Sequence, residues 1–125
     1  MSSNKQENIS LRACGYNVKK HYLRRLEALH LAVKKYGYAS VKGRLTKLGR
    51  YHAVMMMDDK MLQNVIDEKS FHLSKYGYRV NGRRSERLYA ILDAIKEYDI
   101  TVVAWRLMEL GLFHPVMIED LKNMN

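Results

Sequence analysis

Residues 25–36, RLEALHLAVKKY, and residues 87–98, RLYAILDAIKEY, are two versions of one amphipathic helix. In the first, Leu26, Leu29, Val33 and Tyr36 recur at the three- and four-residue steps of a single helical face, and Leu88, Ile91, Ile95 and Tyr98 do the same in the second. Ala28 and Ala32, matched by Ala90 and Ala94, leave a flat strip beside that face where another helix can approach closely. Working outward, residues 9–60 align with residues 71–122 at a constant offset of 62 without a gap, and 20 of the 52 pairs are identical. The expected fold is therefore all-α, a tandem duplication of a small module of about three helices per copy, packed as a pseudo-symmetric pair. A lone copy of about 50 residues buries little apolar surface. One continuous core is expected from Leu26, Leu29, Val33, Leu45, Leu88, Ile91, Ile95 and Leu107.

The organisation follows from the repeat. Residues 1–8 read as a flexible polar tail, 9–70 as a strongly basic first repeat with a joining helix, and 71–125 as a near-neutral second repeat. Gly15-Tyr16 and Gly77-Tyr78 close a short lead-in, where glycine suits a helix cap or a turn with positive φ. The tyrosines after them are expected to pack as apolar cap contacts. The repeated helix should run from about Lys20 to Tyr36 and, capped by Ser85, to Tyr98, stopping at Gly37 and Asp99 in left-handed conformation. A second helix should cover Ala39 to Leu48 and, capped by Thr101, Thr101 to Leu110, ending at Gly49 and Gly111. A third should run from about Met56 to Phe71 with Met57, Met61, Leu62, Val65 and Ile66 apolar, and Pro115 should start its counterpart.

Charge carries the functional clue. The chain bears a net +9, with 13 Lys/Arg against 5 Asp/Glu in residues 9–70 and 8 against 7 in residues 71–125. Between Arg12 and Arg50 stand Arg12, Lys19, Lys20, Arg24, Arg25, Lys34, Lys35, Lys42, Arg44, Lys47 and Arg50, opposed only by Glu27. A field this one-sided favours a polyanionic partner, because each neutralised phosphate releases condensed counterions. These eleven residues are the candidate nucleic-acid contacts, and double-stranded DNA is the expected partner. Arg25 and Arg44 recur as Arg87 and Arg106. In the second copy Asp93, Glu97, Asp99 and Glu109 lie near enough to pair with them, whereas the first copy has only Glu27 nearby, so phosphate contact and internal capping stand as equal alternatives.

Other chemistries lack their residues. Cys14 is alone, so no disulfide framework or thiolate cluster is expected, and a reducing intracellular site of synthesis fits. The five histidines, His21, His30, His52, His72 and His114, show no metal-ligand spacing. His52 and His114, the only twins among them, suit a turn or helix-cap hydrogen bond. There is no phosphate loop, nucleophile elbow or paired-carboxylate motif. The expectation is a non-enzyme with no catalytic or metal residues and no cofactor. No apolar run approaches the roughly 18 residues of a membrane helix. Met55, Met56 and Met57 suit adaptable core filling or a partner-facing surface. Ala32, Gly37 and Val41 lie near helix-turn-helix spacing, although the first step is one residue too long and Asp99 replaces the turn glycine in the second copy.

Leu11, Gly15, Tyr16, Arg25, Ala28, Leu29, Ala32, Val33, Tyr36, Gly37, Val41, Arg44, Leu45 and Leu48 form an ordered pattern. That pattern resembles a small basic repeated domain encoded by large nucleocytoplasmic DNA viruses, among them iridoviruses, marseilleviruses and mimivirus-like viruses. The second copy departs from it at Asp99, Ala104 and Trp105. The resemblance implies a virus-encoded, virion-associated protein, made in the host cytoplasm or viral factory and located in the virion core. It supplies context rather than mechanism. Together with the charge, it yields the expectation of a DNA-binding protein that helps compact or organise a viral genome, with other virion proteins as further partners. The first alternative is an internal structural protein linking capsid, membrane or core components through acidic protein or lipid headgroups. The second is a sequence-specific regulator. Oligomeric state stays open.

Overall fold

The computed structural model describes residues 9–68 and 71–124, and every regular element among them is helical. The polar tail expected over residues 1–8 lies outside the described residues. The chain divides into two compact units, Met1–Asp67 and Glu68–Asn125. Unit 1 runs through a 3₁₀ turn at Arg12–Cys14 and then α1 (Tyr22–Tyr36), α2 (Tyr38–Leu48) and α3 (Ala53–Asp67). Unit 2 runs in the same order through a 3₁₀ turn at Leu73–Tyr76, α4 (Arg84–Glu97), α5 (Ile100–Gly111) and α6 (Pro115–Lys122).

In unit 1, α2 packs against both α1 and α3. Its buried apolar residues include Leu23, Leu26 and Leu29 of α1, Val41 and Leu45 of α2, and Met55, Leu62 and Val65 of α3. In unit 2, α5 packs against α4 and α6, burying Ile91, Ala94, Val103, Leu107, Met117 and Leu121. Gly15 and Gly77 close the 3₁₀ turns in the left-handed region, at φ 96° and 90°, where a side chain would be strained. Gly49 and Gly111 have a different cause. Gly49 is right-handed at φ −61°, but a Cβ there would sit 2.9 Å from the Leu45 carbonyl oxygen and 3.2 Å from Met56 Cα. At Gly111 a Cβ would fall 2.3 Å from Ile118 Cδ1. Both glycines let the third helix of their unit pass close to the end of the second.

Several local expectations are corrected. Ser85 is not a cap, because α4 starts at Arg84 with Arg83 before it and no side-chain cap. Thr101 is not the cap of α5. Asp99 is, accepting from the Thr101 backbone N–H at 3.2 Å with ordinary φ −64°. The first helix of unit 2 thus stops at Tyr98 in extended conformation, without a left-handed residue. The capping histidine is His21, whose Nδ1 accepts from Leu23 N–H at 3.3 Å, while His114 precedes α6 without a side-chain cap. On α3 the inward residues are Met55, Asp58, Leu62 and Val65, so Met57 faces solvent.

Leu88 is corrected as well. Leu26 is fully buried, but its twin Leu88 is 45% exposed. The neighbours on that face explain the difference in kind: buried Leu23 and His30 of α1 become exposed Ser85 and Leu92 on α4. Val33 and Ile95 are half-buried.

Candidate nucleic-acid interface

Each unit contains a buried Arg–Asp–Tyr triad, and the triad takes one basic residue out of the expected interface. Arg25 of α1 donates through Nε to Asp58 Oδ2 at 2.8 Å and through Nη2 to Asp58 Oδ1 at 3.1 Å. Its Nη1 donates to the Lys20 carbonyl at 2.6 Å, and the Tyr16 hydroxyl donates to Asp58 Oδ2. In unit 2, Arg87 repeats the fork on Asp120 at 2.8 and 3.1 Å, reaches the Gly82 carbonyl at 2.8 Å, and Tyr78 completes the set. Asp58 is 1% exposed and Arg25 9%. Burial first, then the bond to the carboxylate and its charge, push both tyrosine hydroxyls above their ordinary pKa, so they stay donors. The bidentate geometry satisfies both ions and ties the turn after Gly15, the start of α1 and the middle of α3 together. Arg25 is therefore an internal brace and not a phosphate contact. Tyr16 is more than an apolar cap contact for the same reason.

The other ten candidates divide by what holds them. Lys42 Nζ is bound to Asp59 at 2.7 Å, and Thr46 shares that carboxylate, so Lys42 is ion-paired at the α2–α3 seam. Arg24 meets Glu27 at 3.4 Å in an exposed pair that constrains it little. Lys20 donates to the Gly15 carbonyl at 3.0 Å, and Lys35 lies over the Tyr36 ring. Lys34 and Lys35 occupy the last turn of α1 and Lys47 that of α2, where the carbonyl ends favour a cation. Arg12, Lys19 and Arg50 are exposed. In ion-pair terms, Arg12, Lys19, Lys20, Lys34, Lys35, Arg44, Lys47 and Arg50 have no carboxylate partner among the described residues.

Two of these come together. Arg12 and Arg44 line one open pocket of about 350 Å³ with Ser10, Asn17 and His52, and among the described residues no carboxylate lines it. The second copy alters this place. Arg12 is replaced by Ser74 and Asn17 by Arg79, while Arg106, the twin of Arg44, sits 3.7 Å from Glu109. Lys47 occupies the position that Glu109 fills in unit 2. The neighbouring charge, rather than the arginine itself, separates the twins.

Three aromatic rings of unit 2 pack against one another. Phe71 and Tyr98 rings lie 4.7 Å apart, Tyr76 meets Tyr98 edge-on, and the Tyr76 hydroxyl donates to Glu97 at 2.6 Å. Among the described residues no group of three or more His, Cys, Asp or Glu could hold a metal ion, and no helix is long and apolar enough to cross a membrane. His30 is buried on α1, and desolvation, helped by the Lys34 charge, lowers its pKa. No family model matches the chain, and no curated protein or solved structure is significantly similar to it.

Proposed function

We propose that this is a non-enzymatic DNA-binding protein that helps compact or organise a viral genome in the virion core. The observation that carries this reading is the state of the unit 1 surface after its internal pairing. Three of its acids are engaged by Arg24, Arg25 and Lys42, leaving nine basic side chains, the eight above and Lys60, without a carboxylate partner among the described residues. In unit 2, by contrast, exposed Glu86, Asp93, Glu97, Asp99 and Glu119 are interspersed with Arg79, Arg83, Arg84 and Lys96. Unit 1 would then make most phosphate contacts, which fix position without reading sequence. The two copies are a tandem duplication, and we propose that they pair pseudo-symmetrically. The viral setting rests on the resemblance of Leu11 to Leu48 to the nucleocytoplasmic virus domain.

One observation favours a second reading, an internal structural protein. Leu88, Tyr89 and Leu92 form an exposed apolar face on α4 that a virion protein could cover. The two readings separate in one experiment, binding to several unrelated duplexes beside anionic liposomes at one salt concentration. Tight, sequence-blind duplex binding supports genome organisation. Binding to liposomes alone supports the structural role.

A further inference from the structure

The pocket beside Arg44 is larger than a phosphate needs. At about 350 Å³ it lies at the lower end of the range, roughly 300–1,000 Å³, in which compact organic ligands are held. Its floor is apolar, made by Leu11, Val18, Leu48 and Met55, and its rim is cationic and polar, with Arg12, Arg44, His52 and Ser10. A bare phosphate would satisfy the rim and leave the floor uncovered. A fatty chain would cover the floor and leave two guanidinium groups facing hydrocarbon. A nucleotide answers both demands, because a base offers an apolar face with polar edges and its phosphate is a charge-assisted acceptor for arginine.

The polar groups are poised for this. Ser10 Oγ accepts from Ala13 N–H at 3.2 Å, which leaves its own hydroxyl proton free to donate. Asn17 Oδ1 accepts from Lys19 N–H at 2.9 Å, which fixes the amide plane. Arg44 makes no ion pair or hydrogen bond among the described residues, so its position on the rim is not explained by internal pairing.

We infer that this pocket binds one unpaired nucleotide, its base over Leu48 and Met55 and its phosphate between Arg12 and Arg44. A base stacked inside a duplex cannot enter, so the site selects a nucleotide at an end, a gap or a single-stranded stretch. This rests on the DNA reading for its biological partner, but the pocket itself can be tested without DNA.

The test has two arms. In the first, adenosine monophosphate is titrated into the methyl NMR spectrum of the intact protein. Saturable shifts of the Met55 and Leu48 methyl signals are expected, with inorganic phosphate leaving both unmoved. In the second, affinity for a closed circular duplex is compared with that for the same duplex carrying a single-stranded gap. The gapped form should bind more tightly. Arg44→Met should weaken the mononucleotide about tenfold or more and shrink the ratio of gapped-duplex to closed-duplex affinity by a similar factor, beyond whatever both duplexes lose with one phosphate contact. Arg12→Ser, the residue its twin position carries, repeats the test at an exposed site with little risk to folding. Equal affinity for both DNAs, with the mononucleotide silent, overturns the pocket and leaves genome binding intact. Saturation by the mononucleotide with no binding of either DNA leaves the pocket standing and overturns the genome reading.

Discussion

Replacing Asp58 by Asn is the sharpest perturbation of unit 1, because it changes one charge and almost no volume. Asp58 accepts Arg25 Nε at 2.8 Å and Nη2 at 3.1 Å as well as the Tyr16 hydroxyl, at a site where the carboxylate is 1% exposed. The asparagine amide would turn an N–H toward the guanidinium or the phenol and leave the arginine charge buried without a counterion. Breaking a buried pair in this way costs about 3–5 kcal/mol. A unit of this size is stable by only roughly 3–10 kcal/mol at 0.05–0.15 kcal/mol per residue, so the variant loses a third or more of its margin. Urea unfolding followed by far-ultraviolet circular dichroism should place the midpoint far lower with an unchanged slope. The thermal midpoint should fall by about 12 °C or more. Tyr16→Phe alone removes one neutral donor and should cost about 1 kcal/mol. Removing all three polar groups together, as Tyr16→Phe, Arg25→Met and Asp58→Leu, should recover most of the loss, since an apolar replacement needs no compensation for desolvated charge. An Asp58→Asn cost below about 1 kcal/mol, or a triple variant as unstable as the single one, would refute the account of the triad.

Further outcomes follow from the same structure. Leu26→Ala should cost about 2–5 kcal/mol, while Leu88→Ala, at a twin position that is 45% exposed, should cost under about 1 kcal/mol in the same denaturation assay. Equal costs would mean that the duplicated face is buried in both copies. His30 has a folded pKa below its ordinary 6.5, so the unfolded chain takes up a proton that the folded chain refuses. Stability should therefore be unaffected by this group above pH 6.5 and should fall as the pH drops below it. His30→Leu, the residue at the twin position, should flatten the curve of stability against pH in that acid window, and an unaltered slope would contradict the assignment.

How much was visible in the sequence depends on the range of the interaction. The helices follow from apolar periodicity, a local signal, and Gly15 and Gly77 follow from the chain reversal they permit. Gly49 was legible as a terminator, but its reason, the approach of Met56 Cα to 3.2 Å, is tertiary. The triad was hidden because Arg25 finds its carboxylate 33 residues away, on a helix whose inward face was assigned through Met57 rather than Asp58. One signal was present. Tyr16, Arg25 and Asp58 are each identical to their partners at offset 62, and a polar residue repeated among core residues points to a shared internal bond. Leu26 and Leu88 carry the opposite lesson, since identity between copies does not transfer environment once Leu23 and His30 have become Ser85 and Leu92. The pocket was out of reach because Arg12 and Arg44 are brought together only by folding.

The central claim, that unit 1 binds DNA through its unneutralised cations, is tested most directly by duplex affinity over a series of salt concentrations. With nine such side chains and about half of them on phosphates, the slope of log K against log salt should be roughly −4 and alike for unrelated duplexes. Changing Lys19, Lys34, Lys47 and Arg50 to Ala should flatten that slope by about one unit per lost contact, whereas changing Arg79, Arg83, Arg84 and Lys96 to Ala should leave it unchanged. A slope near zero, or equal flattening by the two sets, would contradict the account.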